Sequence, residues 1–212
     1  MARDGIPFLL LFTIPALVAG GAAAVFGLWF LWGFAATCAL LAAFMAYFFR
    51  NPERTPPGEP NVVVSPADGK VLVVERVDPT DESSPTQVCI FLSPLDVHIN
   101  RSPIGGTIED VVYKPGSFKV ASRRIASEVN EQNVITISNP EMTIVVRQIA
   151  GLLARRIVCW KKPGDPVERG ERIGLMKFSS RMDVVMTADI QVLCKTGDRV
   201  VAGETIIGRK LS

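Results

Sequence analysis

Three short segments of this 212-residue chain mix reactive side chains with glycine and proline inside otherwise aliphatic sequence. Ser65-Pro66-Ala67-Asp68-Gly69 carries a carboxylate, Leu92 to Pro103 carries His98, and Met176 to Val184 carries the adjacent pair Ser179-Ser180. His98 is the one histidine of the chain. Its ordinary pKa lies near neutrality, so proton transfer at pH 7 falls to it most naturally. A carboxylate such as Asp68 can orient and stabilise such an imidazole, as in a Ser-His-Asp arrangement. A serine hydroxyl is a weak nucleophile until a base takes its proton. Each segment also has a plainer reading. Asp68-Gly69 between Val64 and Val71 is a strong hairpin-turn signal. A lone histidine is more often a hydrogen-bonded packing residue, and two serines ahead of a strand-like Met-Asp-Val-Val-Met run suit a polar turn.

The elements that must position these residues are mostly strands. From Asn61 onward the sequence consists of short β-branched runs (62–64, 71–77, 88–92, 108–113, 134–137 and 143–149) separated by Gly, Pro, Asn and Asp. Phe118 to Asn130 is the best stretch for irregular or helical structure. A repeat marks the second half. Gly164-Asp165-Pro166-Val167 with Gly170-Glu171 and Ile173 matches Gly197-Asp198-Arg199-Val200 with Gly203-Glu204 and Ile206. Both fit GDxVxxGExI, and each predicts a hairpin-like corner. The expected fold is mainly β, a compact barrel-sandwich-like domain with hairpin repeats.

Ahead of it lie 45 residues, Gly5 to Phe49, without one charge. A single straight helix of that length would reach about 68 Å, roughly twice a bilayer core. Two shorter spans, 6–24 and 26–48, turning near Gly20-Gly21, fit better, as a transmembrane hairpin. Arg3 before the pair and Arg50 and Arg54 after it put both ends on the cytoplasmic side. Trp29, Trp32, Tyr47 and Phe48-Phe49 suit an interfacial seat for the second span. A signal peptide would be shorter and begin with more basic residues. The expected organisation is an anchor over 1–50, a Pro-rich linker over 51–60 and a β domain over 61–212. The net charge of +2 predicts no nucleic-acid partner. Four scattered cysteines without a CxxC pair, and one histidine, predict neither a disulfide framework nor a metal site.

Taken together, the segments resemble the short bacterial and archaeal form of phosphatidylserine decarboxylase. The matching pieces are Phe49-Arg50-Asn51-Pro52, Ser65 to Gly69, Phe91 to Pro103, Tyr113-Lys114-Pro115-Gly116, Asn130-Glu131, Ile149-Ala150-Gly151 and Gly174 to Arg181. They cover essentially the whole chain in the family's order. The resemblance implies that Ser180 attacks the carbonyl of Ser179, and that the resulting ester eliminates to leave a pyruvoyl group derived from Ser180. The chain would then consist of a large piece, 1–179, and a small piece, 180–212, held as a heterodimer able to assemble further. His98 matches the family's base and Asp68 the acid that partners it. The pyruvoyl carbonyl would form a Schiff base with the amine of phosphatidylserine and release phosphatidylethanolamine after loss of carbon dioxide. The resemblance further implies a phospholipid substrate and a place at the cell (inner) membrane, with the catalytic domain on the cytoplasmic side. Arg101, Arg123 and Arg124 are candidates for contact with the phosphodiester, or for ordinary surface salt bridges. Two positions depart from the pattern. Ser179 stands where glycine is usual, and Leu95 stands where longer bacterial forms carry a second histidine.

Two other readings explain part of the sequence. GDxVxxGExI corners also occur in biotinyl and lipoyl carrier domains, where Lys177 in Leu175-Met176-Lys177-Phe178 would be the modified lysine. A non-catalytic membrane-anchored β protein would explain the anchor and the strands, but not the three reactive segments.

Overall fold

The computed structural model describes residues 1–123, 125–152, 156–178 and 180–211. Arg124 and Ser179, both named above, lie outside the described residues. The chain divides into two compact units, Met1–Pro52 and Glu53–Ser212.

The uncharged start folds as α1 (Ile6–Phe26) and α2 (Phe30–Phe48). Both are long and apolar enough to cross a membrane by length and composition. The turn expected at Gly20-Gly21 falls instead after α1, where Gly27 takes φ 67°. Only glycine adopts that left-handed backbone cheaply. Gly20 remains helical, and the space a side chain would fill there faces Ala35 and Trp32. Small residues dominate the buried side of the pair: Ala19, Ala23, Ala35, Cys38 and Ala42. Such residues let two apolar helices approach closely. The Ala2 N–H donates to the Phe49 carbonyl at 2.8 Å and ties the two ends together. Phe48 and Phe49 are buried and packed edge to face, so they do not form the exposed interfacial seat expected of them. Trp29 and Tyr47 are exposed.

The second unit is mainly β, with a curled half-barrel sheet. In chain order its strands are β1 (Val62–Val64), β2 (Gly69–Arg76), β3 (Thr86–Leu92), β4 (Ile99–Arg101) and β5 (Gly106–Lys114). They continue with β6 (Gln132–Ser138), β7 (Thr143–Ala150), β8 (Ile157–Cys159), β9 (Pro166–Val167) and β10 (Arg172–Met176). Last come β11 (Ser180–Met186), β12 (Ile190–Val192), β13 (Arg199–Val200) and β14 (Ile206–Lys210). A single short helix, α3 (Ala126–Val129), lies in the stretch expected to be irregular or helical. Eight strands form the large sheet in the order β13-β2-β3-β11-β7-β6-β5-β9, and two three-stranded sheets run β1-β14-β12 and β4-β10-β8. Strict alternation gives the large sheet one apolar face. Ile90 and Leu92, Ile144 and Val146, and Met182, Val184 and Met186 join Val63, Ile173 and Ile207 of the small sheets in one buried core.

The repeated corners sit at opposite edges of the large sheet. β9 pairs with β5 and β13 with β2. The symmetry extends further than the GDxVxxGExI match. Ser65-Pro66 and Ser102-Pro103 occupy equivalent corners: Ser65 Oγ donates to the Ala67 carbonyl at 2.7 Å and Ser102 Oγ to the Ile104 carbonyl at 2.6 Å. The Gly203 N–H donates to the Ser65 carbonyl and the Gly170 N–H to the Ser102 carbonyl, both at 2.8 Å. A Cβ at Gly69 would overlap the Phe91 carbonyl oxygen, and one at Gly106 would overlap that of Ser138. The half-barrel is therefore pseudo-twofold, with the axis between β11 and β7. In this superposition Asp68 takes the place of Gly105. The carboxylate belongs to one half only.

The Pro-rich stretch is held against these corners from Glu53 on. Arg169 donates to the Pro57 and Glu59 carbonyls at 2.6 and 2.7 Å, and Arg172 pairs with Glu53 at 2.6 Å.

Candidate active site

The register brings the reactive segments to one end of the large sheet. Ser180 opens β11 and stands between Leu92 of β3 and Ala150 of β7. Both neighbours are the last residues of their strands. Gly69 opens β2, Gln132 opens β6 and Lys114 closes β5 at the same end. Antiparallel pairing thus places Asp68, the loop from Ser93 to His98, Pro115-Gly116, Asn130-Glu131 and Gly151 around one rim. None of these segments is near Ser180 in sequence.

Ser180 is completely buried, and its Oγ has no hydrogen-bond partner among the described residues. A hydroxyl without one forfeits roughly 1–3 kcal/mol, so the site holds a polar atom that the fold does not satisfy. Two residues earlier, Phe178 has φ 56°. A bulky side chain seldom tolerates this region, which costs on the order of 1–3 kcal/mol and concentrates at functional sites.

His98 precedes β4 and is buried. The Met176 N–H donates to its carbonyl at 3.2 Å, tying it to the strand that leads into Ser180. Its Nδ1 lies 2.9 Å from the Asp96 carbonyl oxygen. That oxygen only accepts, so Nδ1 carries the proton and Nε2 of a neutral ring keeps the lone pair. The Asp96 loop is itself braced. Its carboxylate accepts the Ser93 N–H and an Arg199 N–H, each at 2.8 Å.

Asp68 lies one strand beyond β3, at the mouth of β2. One carboxylate oxygen accepts the Ala202 N–H at 2.8 Å and the other pairs with Arg54 at 3.1 Å. Arg54 also pairs with Glu204 of the second GDxVxxGExI corner at 3.0 Å. Sequence reasoning did not anticipate this arginine, which reaches Asp68 from the Pro-rich stretch.

Beneath Ser180 the core face carries a row of amides that the sequence reading also missed. Gln148 shares the inward face of β7 with Ile144 and Val146 and is as buried as they are. Its Oε1 accepts from Asn133 at 3.1 Å, and its Nε2 donates to Asn100 Oδ1 at 2.9 Å. Asn130 braces the rim, donating to the Ala150 and Lys119 carbonyls at 2.7 and 2.8 Å. The signal for Gln148 was present: a glutamine at an inward position of an alternating strand has to be buried.

The opposite face of β11 holds a second buried polar group. Arg181 Nε donates to Asp183 at 2.5 Å and its Nη2 to Cys89 Sγ at 2.6 Å, while Ser127 donates to Asp183 at 2.6 Å. Burial, followed by the Asp183 carboxylate, pushes the Cys89 thiol up to about 12 against the pull of Arg181. Burial pushes Cys194 up to about 11. Only the thiolate is alkylated readily. At pH 8 iodoacetamide should leave Cys89 and Cys194 intact in the folded protein and modify both after urea unfolding, as read by peptide mass.

Around the rim stand large exposed apolar side chains: Leu95, Tyr113, Val120, Ile125 and Leu152. Among them the sequence from Val111 to Ser127 contains Lys114, Lys119, Arg123 and Arg124 and no acidic residue. Arg123 is exposed there. Arg101 is buried and donates to the Gly170 carbonyl at 2.7 Å. Lys177 is buried as well, which does not suit the exposed lysine at the tip of a carrier domain.

The family model described as phosphatidylserine decarboxylase matches residues 41–208. A phosphatidylserine decarboxylase proenzyme of Solibacter usitatus is 51% identical over 178 residues, covering 84% of each chain. Those of Pelobacter propionicus and Symbiobacterium thermophilum are 43% and 45% identical over 99% of this chain and 96% and 95% of theirs. A match of this extent, to the segments that meet at one end of the sheet, means that the chain belongs to the phosphatidylserine decarboxylase family.

Proposed function

We propose that this protein is a pyruvoyl-dependent decarboxylase that converts phosphatidylserine to phosphatidylethanolamine, after cutting itself between Ser179 and Ser180. The observation that carries this reading is the buried, unpartnered Ser180 Oγ at the rim shared with His98. His98 Nε2 takes the hydroxyl proton, and Ser180 Oγ adds to the Ser179 carbonyl carbon. The peptide C–N bond breaks, and the nitrogen of residue 180 leaves as an amine, giving an ester. Loss of the α-proton of residue 180 expels the Ser179 carboxylate. The dehydroalanine left behind takes up water and releases ammonia, which yields the pyruvoyl group. Asp68, braced by Arg54 and the Ala202 N–H, supplies the negative charge that favours a protonated His98. Burial of residue 180 fits such a group, because a ketone oxygen needs no donor and the site excludes bulk water.

When joined to the substrate amine, the pyruvoyl group supplies the electron sink for departure of carbon dioxide. The protein's own residues do the rest. His98 holds or returns a proton beside residue 180. The apolar rim of Tyr113, Val120, Ile125 and Leu152 and its lysines suit acyl chains and an anionic head group. The two apolar helices are read as the membrane anchor, with the catalytic unit on the cytoplasmic side of the cell membrane.

The fold explains how two pieces would remain one enzyme. Residues 180–212 contribute β11, which lies between β3 and β7, and β14, which lies between β1 and β12. The pieces should therefore copurify and separate only in denaturant.

The test is release of labelled carbon dioxide from phosphatidylserine carrying carbon-14 in the serine carboxyl, by the full chain in nanodiscs. Equal label in phosphatidylethanolamine is not expected, since the labelled carbon is the one lost. A cleaved protein that releases no label would refute the reading. The double variant Val120→Asp with Ile125→Asp should lose about tenfold or more against bilayer substrate, as two apolar side chains contribute about 1.5–3 kcal/mol each when buried. Activity on dispersed short-chain phosphatidylserine should stay within about twofold, measured in the same assay.

A further inference from the structure

The row of amides under Ser180 ends in a donor that no group among the described residues accepts. Asn133 Nδ2 donates to Gln148 Oε1, and Gln148 Nε2 donates to Asn100 Oδ1 and, at 3.5 Å, to the Val158 carbonyl. Every acceptor in this chain is an oxygen and every donor an N–H, so the orientation of each amide follows from its neighbours. Asn100 is therefore turned with its oxygen toward Gln148 and its NH2 away. Asn100 is fully buried, and its Nδ2 has no hydrogen-bond partner among the described residues. The fold spends three buried amides to aim one unsatisfied donor.

The donor's surroundings say what it is for. Gln148 faces Met182 across the β7–β11 ladder, and the next inward pair is Ala150 with Ser180. One pleat repeat, about 7 Å, separates the two levels. β4 brings Asn100 to this face through its pairing with β10, where Asn100 stands opposite Gly174. A Cβ at Gly174 would crowd Gln148 Nε2 and overlap the Val158 carbonyl, so glycine there keeps Gln148 in place. Two buried polar atoms without partners among the described residues thus lie in one core: Ser180 Oγ on the inward face of the large sheet, and Asn100 Nδ2 on the small β4-β10-β8 sheet, joined to that face through Gln148. A donor and a nucleophile left unsatisfied together are what an addition to a carbonyl requires, since the carbonyl oxygen gains its negative charge only in the transition state.

We propose that Asn100 is a catalytic residue of self-cleavage, its Nδ2–H donating to the carbonyl oxygen that Ser180 Oγ attacks. The inference rests on the self-cleavage reading given above. As the Oγ–C bond forms, the carbonyl π pair moves onto oxygen and Asn100 stabilises it. The Oγ proton passes to the base. Collapse restores the carbonyl, breaks the C–N bond and returns a proton to the departing nitrogen. Asn100 leaves the step unchanged. Gln148 and Asn133 are positioning residues, acting through Asn100.

The experiment follows conversion of the full chain into its two pieces after a short pulse of synthesis into nanodiscs, by denaturing gel and intact mass. One oxyanion donor is worth on the order of 10²–10³ in rate. Asn100→Leu should slow cleavage by at least about 100-fold on that scale, and Gln148→Leu should slow it less. Asn100→Asp keeps the shape and serves where the leucine variant does not fold. It should be slow at pH 8 and recover toward the wild-type rate, compared at each pH, as acidification protonates its buried carboxyl and restores an O–H donor. A purely structural role would not produce that recovery. Wild-type cleavage with unslowed Asn100→Leu, or an Asn100→Asp rate that keeps a constant ratio to wild type across pH, would overturn the proposal. A wild-type chain that never cleaves would instead remove the self-cleavage reading and this inference with it.

Discussion

Ser180→Ala is expected to persist as a single uncut chain and to release no carbon dioxide above background. The whole activity should vanish, because the substituted side chain is the precursor of the reactive group. Loss of activity alone would also follow from misfolding, so the expectation for stability matters as much. Ser180 Oγ is buried without a partner among the described residues, and its removal breaks no hydrogen bond among them. Relief of an unsatisfied hydroxyl is worth roughly 1–3 kcal/mol, against a small cavity term for one atom. The variant should therefore melt at the temperature of the uncut wild-type precursor or above it. Wild type should appear as two pieces dividing between Ser179 and Ser180, with the smaller one blocked at its N-terminus. A Ser180→Ala protein that is still cut at this bond would end the serine mechanism. A variant that is uncut but melts several degrees lower would show that Ser180 Oγ has a structural partner after all.

His98→Gln should slow self-cleavage by about 10²–10⁴, the usual contribution of a positioned general base. Glutamine can still donate from Nε2 to the Asp96 carbonyl, so the loop between β3 and β4 loses little. The diagnostic is the pH profile. Wild-type cleavage should rise through the range where an imidazole loses its proton, and the rise should be absent in the variant. Asp68→Asn removes the charge that stabilises the imidazolium while keeping an acceptor for the Ala202 N–H. It should fall between wild type and His98→Gln. Equal rates for wild type and His98→Gln across pH would reassign the base. The measurement is the same gel time course, run in buffers of fixed ionic strength, since the Arg54–Asp68–Glu204 group responds to salt.

Much of this protein can be read along the chain because its signals are local. β-Branched runs between turn residues mark most strands, and β2, β3, β5, β6 and β7 fall within two residues of their expected bounds. The uncharged start reads as a helix pair by length alone. The turn between the helices was misplaced because a Gly-Gly pair looks like a break, whereas a helix tolerates glycine wherever close packing rewards it. Gly27, next to the bulky Leu28-Trp29, was the residue that took left-handed dihedrals. The corner strand β4 was hidden for a different reason. Ile99-Asn100-Arg101 has no alternation of apolar and polar side chains, since all three residues are buried.

Ser180, His98 and Asp68 stand out by residue type and by motif, and the sequence by itself determined which groups were available for chemistry. It also carried the GDxVxxGExI repeat and, less visibly, the paired Ser-Pro corners at 65 and 102. What only the tertiary structure decided is where these groups meet and what surrounds them. The Ser180 rim depends on register across six strands from distant parts of the chain, and a shift of one residue would turn Ser180 to the face of Arg181. The tautomer of His98 depends on one carbonyl, and the partner of Asp68 is an arginine from a stretch read as linker. Asn100, Gln148 and Asn133 are ordinary amides in sequence. They become a directed chain only when three strands stack their inward faces, because hydrogen-bond direction is a property of contacts and not of composition.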